Sequence, residues 1–198
     1  MKKFNETMAA DLAQLLDAGG LAAFPTDTVY GLGVAYGSLE ALDRLKHAKH
    51  RPETKPIPFM TDSLDHAAQI AYINETAKKL ADSFLPGPLT LILKRRESVS
   101  DEYTNGMETV AVRIPDEPYL LEVMRKVGRP LLVSSANQSG EPAALTAKQA
   151  MDALPDIDAV VQGACAGGVA STIVDCTGDD IRILREGPIS EERLREVL

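Results

Sequence analysis

The 198 residues contain no tryptophan, only four phenylalanines and five tyrosines. Few flat rings are therefore available for stacking unpaired bases, the usual way a protein reads single-stranded RNA. Cysteine is scarce too. Cys165 and Cys176 form no CxxC pair and have no histidine cluster nearby, which argues against a disulfide framework and a zinc site. Two reduced thiols suit a reducing compartment. Positive charge is in deficit: 21 Lys and Arg stand against 29 Asp and Glu, a net charge of −8. Such a surface repels phosphate backbones on average, so any nucleotide contact needs a local basic site, and Lys46-His47-Ala48-Lys49-His50-Arg51 offers one. No apolar run approaches the length of a bilayer span. Met1-Lys2-Lys3 leads into Phe4-Asn5-Glu6-Thr7, not into the apolar stretch of a signal peptide. The expected setting is the cytoplasm, with no membrane partner.

What is present is the composition of a folded domain, 44% hydrophobic and 25% charged. The length suits one α/β unit, and residues 1–198 are read as a single domain. Helix-like and strand-like stretches alternate. Met8, Leu12, Leu15 and Leu16 fall at helical spacing and stop at Gly19-Gly20; residues 21–24 read as a short buried strand broken by Pro25. Ser38 is placed to cap a helix running to His47. Ile57 to Met60 is expected as an edge strand, or one with a bulge, because of Pro58. Helices are expected over 62–71, 74–84 and 117–127, and strands over 89–94, 110–114 and 131–134. Thr146 and Gln149 make a capping box. Late strands, separated only by residues 176–180, form a hairpin, so roughly seven strands should build one mixed sheet flanked by helices.

The common nucleotide and hydrolase signatures are missing. There is no GxxxxGK[ST] loop, Gly31-Leu32-Gly33 lacks the third glycine of a dinucleotide fingerprint, and no HExxH or GxSxG occurs. Four polar segments interrupt apolar strands instead: residues 24–33, with Thr26, Asp27 and Thr28; residues 46–55, with Lys49 and Arg51 two apart after a helix; residues 133–140; and residues 170–175 with Arg185. Each alone reads as an ordinary turn or a solvated helix end. An arginine fork and a lysine point charge at one rim could grip phosphates, and polar groups beyond a strand end suit an α/β binding crevice.

The order of these segments is more specific than any one of them. PTDTVYGLG at 25–33, KHRP at 49–52, PGPLTLIL at 86–93, VAVRIP at 110–115, SSANQSG at 134–140, STIVD at 171–175 and ILREG at 183–187 together resemble the YrdC/TsaC family, the threonylcarbamoyl-AMP synthases, in its short one-domain form. The resemblance implies a twisted mixed sheet around a concave, positively lined cavity. It implies condensation of L-threonine, bicarbonate and ATP, with Mg2+ carried by the ATP. Lys49 and Arg51 with Ser135 and Asn137 then hold the nucleotide phosphates as the catalytic set, Thr109 and Arg185 are further ATP contacts, and Thr28, Arg113 and Ser171 bind threonine. Catalysis would be positioning plus charge stabilisation. Downstream partners would be the proteins that transfer threonylcarbamoyl to tRNA, with at most a weak contact to tRNA itself. Two positions depart from the family pattern: Met60 where many members carry His, and Ala143 where Ser is frequent.

Two readings compete. A non-catalytic RNA-binding module of the same fold is disfavoured by the charge of −8 and the few aromatics. A relative making another carbamoyl-type adenylate normally sits within a much longer chain.

Overall fold

The computed structural model describes residues 1–52, 55–165 and 167–198. In chain order the strands are β1 (Lys2–Phe4), β2 (Ala22–Phe24), β3 (Gly31–Ala35), β4 (Phe59–Met60), β5 (Leu89–Lys94), β6 (Thr109–Arg113), β7 (Leu131–Ser135), β8 (Ala159–Val161), β9 (Thr172–Asp175) and β10 (Arg182–Arg185). The helices are α1 (Ala9–Asp17), α2 (Leu39–Ala48), α3 (Leu64–Ala67), α4 (Glu75–Phe84), α5 (Asp101–Thr104), α6 (Pro118–Val127), α7 (Ala147–Ala153) and α8 (Glu191–Arg195). A 3-10 turn over Glu6–Met8 leads into α1. No helix among the described residues is long and apolar enough to cross a membrane.

Among the described residues ten strands join one sheet in the order β1-β8-β2-β3-β7-β4-β6-β5-β9-β10. It is mixed, as expected: β1/β8, β2/β8, β4/β6 and β5/β9 run parallel, and the other neighbours antiparallel. The capping box at Thr146 and the cap at Ser38 are both formed.

Three expectations are corrected. Residues 31–33 are strand, not loop. Gly31 and Gly33 are needed because a Cβ at Gly33 would stand 2.7 Å from Cζ of Phe24, and one at Gly31 would stand 2.8 Å from Cγ1 of Val133. Residues 57–60 give no edge strand: β4 is two residues long and lies between β7 and β6. Pro58 is tolerated because it stands just before the paired residues, and its carbonyl accepts from the Val133 amide at 2.9 Å. The helix expected over 62–71 is α-helical only at Leu64–Ala67. β1, β3 and α5 were not anticipated. Gly33→Ala is expected to cost about 1–3 kcal/mol, because the ring of Phe24 is fully buried and cannot step aside; chemical denaturation of the variant measures it.

Side-chain alternation sends successive strand residues to opposite faces. Ala23, Leu32, Phe59 and Leu132 join one core with α2, α4 and α7. Ala22, Phe24, Met60, Leu131 and Val133 join the other with α1 and α6. That second layer covers β1, β8, β2, β3 and β7 as far as Met60 of β4. The register then carries the same face onward: Met60 pairs with Arg113, Ala111 with Ile92, and Thr90 with Ile173. The five positions beyond Met60 face a cavity, not a helix.

Candidate functional site

The cavity holds about 380 Å³. Its floor is the uncovered half of the sheet face. Thr26, Thr28, Thr90, Arg113, Ser171 and Arg185 form one polar end; Arg51, Pro56, Ser134 and Ser135 form the other; Ala111, Ile92, Ile173 and Leu184 lie along the floor. The pairing of β9 with β10 shifts register between Ile183 and Arg185. This irregularity lets the consecutive residues Leu184 and Arg185 both face the cavity, which an ideal strand forbids.

The polar end is built from the turn after β2. Pro25 ends the strand, and the turn closes on its own hydroxyls. Thr26 Oγ1 donates to the Val29 carbonyl at 2.7 Å and lies 3.0 Å from Thr28 Oγ1. The proton of Thr26 being used, Thr28 is the donor between them. Arg113 then donates to Thr28 Oγ1 from Nη1 at 2.9 Å, to the Gly87 carbonyl from Nε at 3.1 Å, and to Asp27 Oδ1 from Nη2 at 2.5 Å. The Pro86-Gly87-Pro88 turn thus supplies a carbonyl to the site. Burial pulls the Arg113 pKa down and the Asp27 carboxylate opposes this; a guanidinium remains charged regardless. Across the floor, Arg185 donates to Ser171 through Nε to the carbonyl at 3.0 Å and Nη2 to the hydroxyl at 3.2 Å, and Ser171 Oγ lies 2.8 Å from Thr90 Oγ1. Burial lowers the Arg185 pKa, and the nearby Arg113 cation lowers it further.

The other end hangs on the C-terminus of α2. Lys49 caps the helix and His50 takes a left-handed φ of 47°. The amide of His50 donates to His47 and that of Arg51 to Lys46, at 3.0 and 2.9 Å. This is the Schellman arrangement, with His where Gly is usual. The reversal sends Lys49 inward and Arg51 along the cavity wall. Arg51 donates to the carbonyls of Lys55 and Pro56 at 3.0 and 2.8 Å and reaches Ser134 Oγ at 3.4 Å. Glu53 and Thr54, within the basic segment 46–55, fall outside the described residues.

Lys49 is 1% exposed, so it is not the rim residue the sequence suggested. Its Nζ donates to the carbonyls of Ser135 and, at 2.6 Å, of Asn137. Burial, aided by the Arg51 cation, pulls its pKa down to about 8. Two ammonium protons are thereby committed and one remains. Asn137 is buried, and its amide nitrogen donates to the carbonyls of Gln138 and Glu141 at 2.7 and 2.8 Å. Both its donors are used, so only Oδ1 is unpartnered. Gln138 bonds the carbonyls of Ala48 and Ala153, and the Ser139 amide returns to the Lys49 carbonyl. The α2 terminus and the 134–141 loop are one interlocked unit.

The structure therefore brings Thr28, Arg113, Ser171, Arg185, Arg51 and Ser135 to one cavity, with Lys49 and Asn137 directly behind its wall. Thr109 is half-buried at the far end of β6. It shares a face with Ala111 and Arg113, about 13 Å from the latter, and is not part of the lining. Lys46 turns aside to Asn105. Met60 and Ala143, the two departures, both line the cavity. Sequence reading assigned no role to Asp27 or Thr90. The signal for Thr90 was a hydroxyl inside the apolar run Leu89–Leu93; for Asp27 it was a lone carboxylate straight after a buried strand.

A half-covered mixed sheet whose open face forms a cavity lined by three arginines and a row of hydroxyls defines an α/β domain with a pocket suited to anions. Comparison with known proteins makes this particular. The family model named Sua5/YciO/YrdC, described as "Telomere recombination", matches residues 14–187, and the chain belongs to that family. A Bacillus subtilis protein named threonylcarbamoyl-AMP synthase is 37% identical over 98% of this chain, which spans 57% of that relative. A Mycobacterium tuberculosis protein named putative threonylcarbamoyl-AMP synthase is 38% identical over 92% of this chain, which spans 85% of it. The structure of Pyrococcus abyssi Sua5 complexed with L-threonine matches with a TM-score of 0.94 and 34% identity, over all of this chain and 60% of that one.

Proposed function

We propose that the protein is an L-threonylcarbamoyladenylate synthase, joining L-threonine, bicarbonate and ATP for threonylcarbamoyl modification of a tRNA adenosine. The observation that carries this reading is the cavity's division. One end offers Arg113 with the hydroxyls of Thr28 and Ser171, a set suited to a small hydroxy amino acid. The other offers Arg51 and Ser135, suited to phosphate. The names of the bacterial relatives and the threonine complex of the archaeal one support the same reading.

In this reaction the threonine amine attacks the carbon of bicarbonate and water leaves, giving an N-carboxylate. An oxygen of that carboxylate attacks the α-phosphorus of ATP. The new O–P bond forms as the bond to the β-phosphate oxygen breaks, and pyrophosphate departs. The protein supplies no nucleophile of its own; it holds the two anions together and compensates charge. Arg113 takes the amino-acid carboxylate with its two remaining N–H groups. The free lone pair of the Thr28 hydroxyl accepts from the substrate hydroxyl, which disfavours an apolar isostere. Arg51 serves the phosphates from the wall, and the Lys49 ammonium adds its charge from behind it. The apolar floor, running outward toward Thr109, suits the base, and Arg185 borders it from the amino-acid end. Asn137, its donors already spent, holds the Ser135 loop in place.

A Mg2+ bound by this chain's own carboxylates does not fit. No Asp or Glu lines the cavity among the described residues, and no metal-holding cluster of His, Cys, Asp or Glu occurs among them. The ion would be held by the triphosphate.

The test is pyrophosphate release from ATP by the purified protein. Release that requires both threonine and bicarbonate is expected. Release without threonine, or none with all three substrates, refutes the reading.

A further inference from the structure

Arg113 is 5% exposed, so its charge has almost no water around it. A buried guanidinium is held in one orientation by the acceptors that meet its donors, while its cost to the fold depends on whether its charge is answered. Three contacts meet the donors: the Gly87 carbonyl, the Thr28 hydroxyl and Asp27 Oδ1. Only the last carries charge. Asp27 is itself mostly buried, with 13% of its side chain exposed. It is not among the cavity-lining residues, and its second oxygen, Oδ2, is buried with no partner. A carboxylate so placed gains little for the fold and cannot touch a ligand in the cavity. Asp27 also bears on the Glu117 carboxyl, whose pKa is raised by burial and then by Glu6, Asp27 and Asp116. Arg185, by contrast, is held only by Ser171, with no carboxylate partner among the described residues.

We propose that Asp27 is a positioning residue for the amino-acid substrate: by accepting from Nη2 of Arg113 it fixes the rotation of the guanidinium, so that the free N–H edge faces the incoming α-carboxylate. The inference rests on the threonine reading given above. Thr28 and Gly87 hold one side of the fork; Asp27 holds the arm that would otherwise swing into the cavity. A fork aligned in advance loses little freedom on meeting a carboxylate. Asp27 thus acts on threonine without contacting it, and should leave the nucleotide untouched.

The test compares Asp27→Ala with Asp27→Asn in the full chain, by calorimetry with L-threonine and by pyrophosphate release. Asp27→Ala removes the acceptor and is expected to raise the threonine Kd and KM by about tenfold or more, with the ATP KM and kcat within about threefold of the parent. Asp27→Asn keeps an acceptor oxygen beside Nη2 but places an amide N–H₂ where Oδ2 has no partner. It should lower the Tm and yet recover most of the threonine affinity lost in the alanine variant. A structural role alone cannot produce that split, since affinity would then fall with stability in both variants. Equal losses toward threonine and ATP, an unchanged threonine Kd in Asp27→Ala, or an asparagine variant no better than alanine each overturn the proposal. Failure of the enzymatic reading shows separately, as a parent protein that binds threonine in the calorimeter but releases no pyrophosphate.

Discussion

Lys49→Met is expected to abolish pyrophosphate release and to destabilise the protein by an amount that grows with pH. Methionine fills the apolar path of the lysine stem but leaves the carbonyls of Ser135 and Asn137 without the donor they have, at about 1–3 kcal/mol for each buried acceptor. At neutral pH part of this loss is offset, because the variant no longer buries an ammonium. The pH dependence follows from the folded pKa, which burial pulls down to about 8 from the ordinary 10.5. Between those values the unfolded chain holds the proton and the folded one does not. Raising the pH therefore stabilises the parent, by roughly 1 kcal/mol per pH unit and about 3 kcal/mol across the window. A neutral amine still has two N–H groups for the two carbonyls. Equilibrium denaturation of both proteins from pH 7 to 10.5 should show the gap widening; a constant gap would mean that Lys49 titrates at its ordinary value. Arg51→Ala, in contrast, removes a wall residue and should lose activity with little loss of stability.

Arg113→Ala is expected to lose threonine binding outright and to cost about 3–5 kcal/mol of stability, the loss that follows when one member of a buried ion pair is removed and its partner charge stays behind. The partner here is Asp27, whose carboxylate would keep neither of its acceptors satisfied. The double variant Asp27→Asn with Arg113→Ala separates the two effects. Neutralising Asp27 should return part of the stability, while threonine binding stays absent. A double-mutant cycle by denaturation and calorimetry measures the coupling. If the single Arg113→Ala variant is as stable as the parent, the ion pair contributes nothing to the fold. If it retains the parent's threonine affinity, the carboxylate is bound elsewhere.

Much of the architecture was written in local patterns. Caps at Ser38 and Thr146, the helix stop at Gly19-Gly20 and the break at Pro25 depend on a few neighbouring atoms, and each appears where the residues placed it. The departures are non-local. β3 was hidden because Gly-Leu-Gly has poor strand propensity. The strand forms because Phe24, one strand away, needs the space that two missing Cβ atoms leave. β4 was misplaced because nothing in Pro58-Phe59-Met60 reveals that β6 and β7 will close on both sides of it.

The candidate site divides the same way. By itself the sequence determined which chemical groups are available: three arginines, a lysine and a set of hydroxyls, in an order characteristic of one family. Residue type and spacing suffice for that, since hydrogen-bonding capacity and charge belong to the side chain. Only the tertiary structure decided which of those groups face a ligand. Arg51 and Lys49 are two residues apart, yet the left-handed turn at His50 puts one on the wall and the other behind it. Arg113 and Arg185 look alike in sequence, but the fold gives one a carboxylate partner and leaves the other with a serine. Burial, and the partner that answers a buried charge, are set by segments distant along the chain, so no local pattern could have specified them.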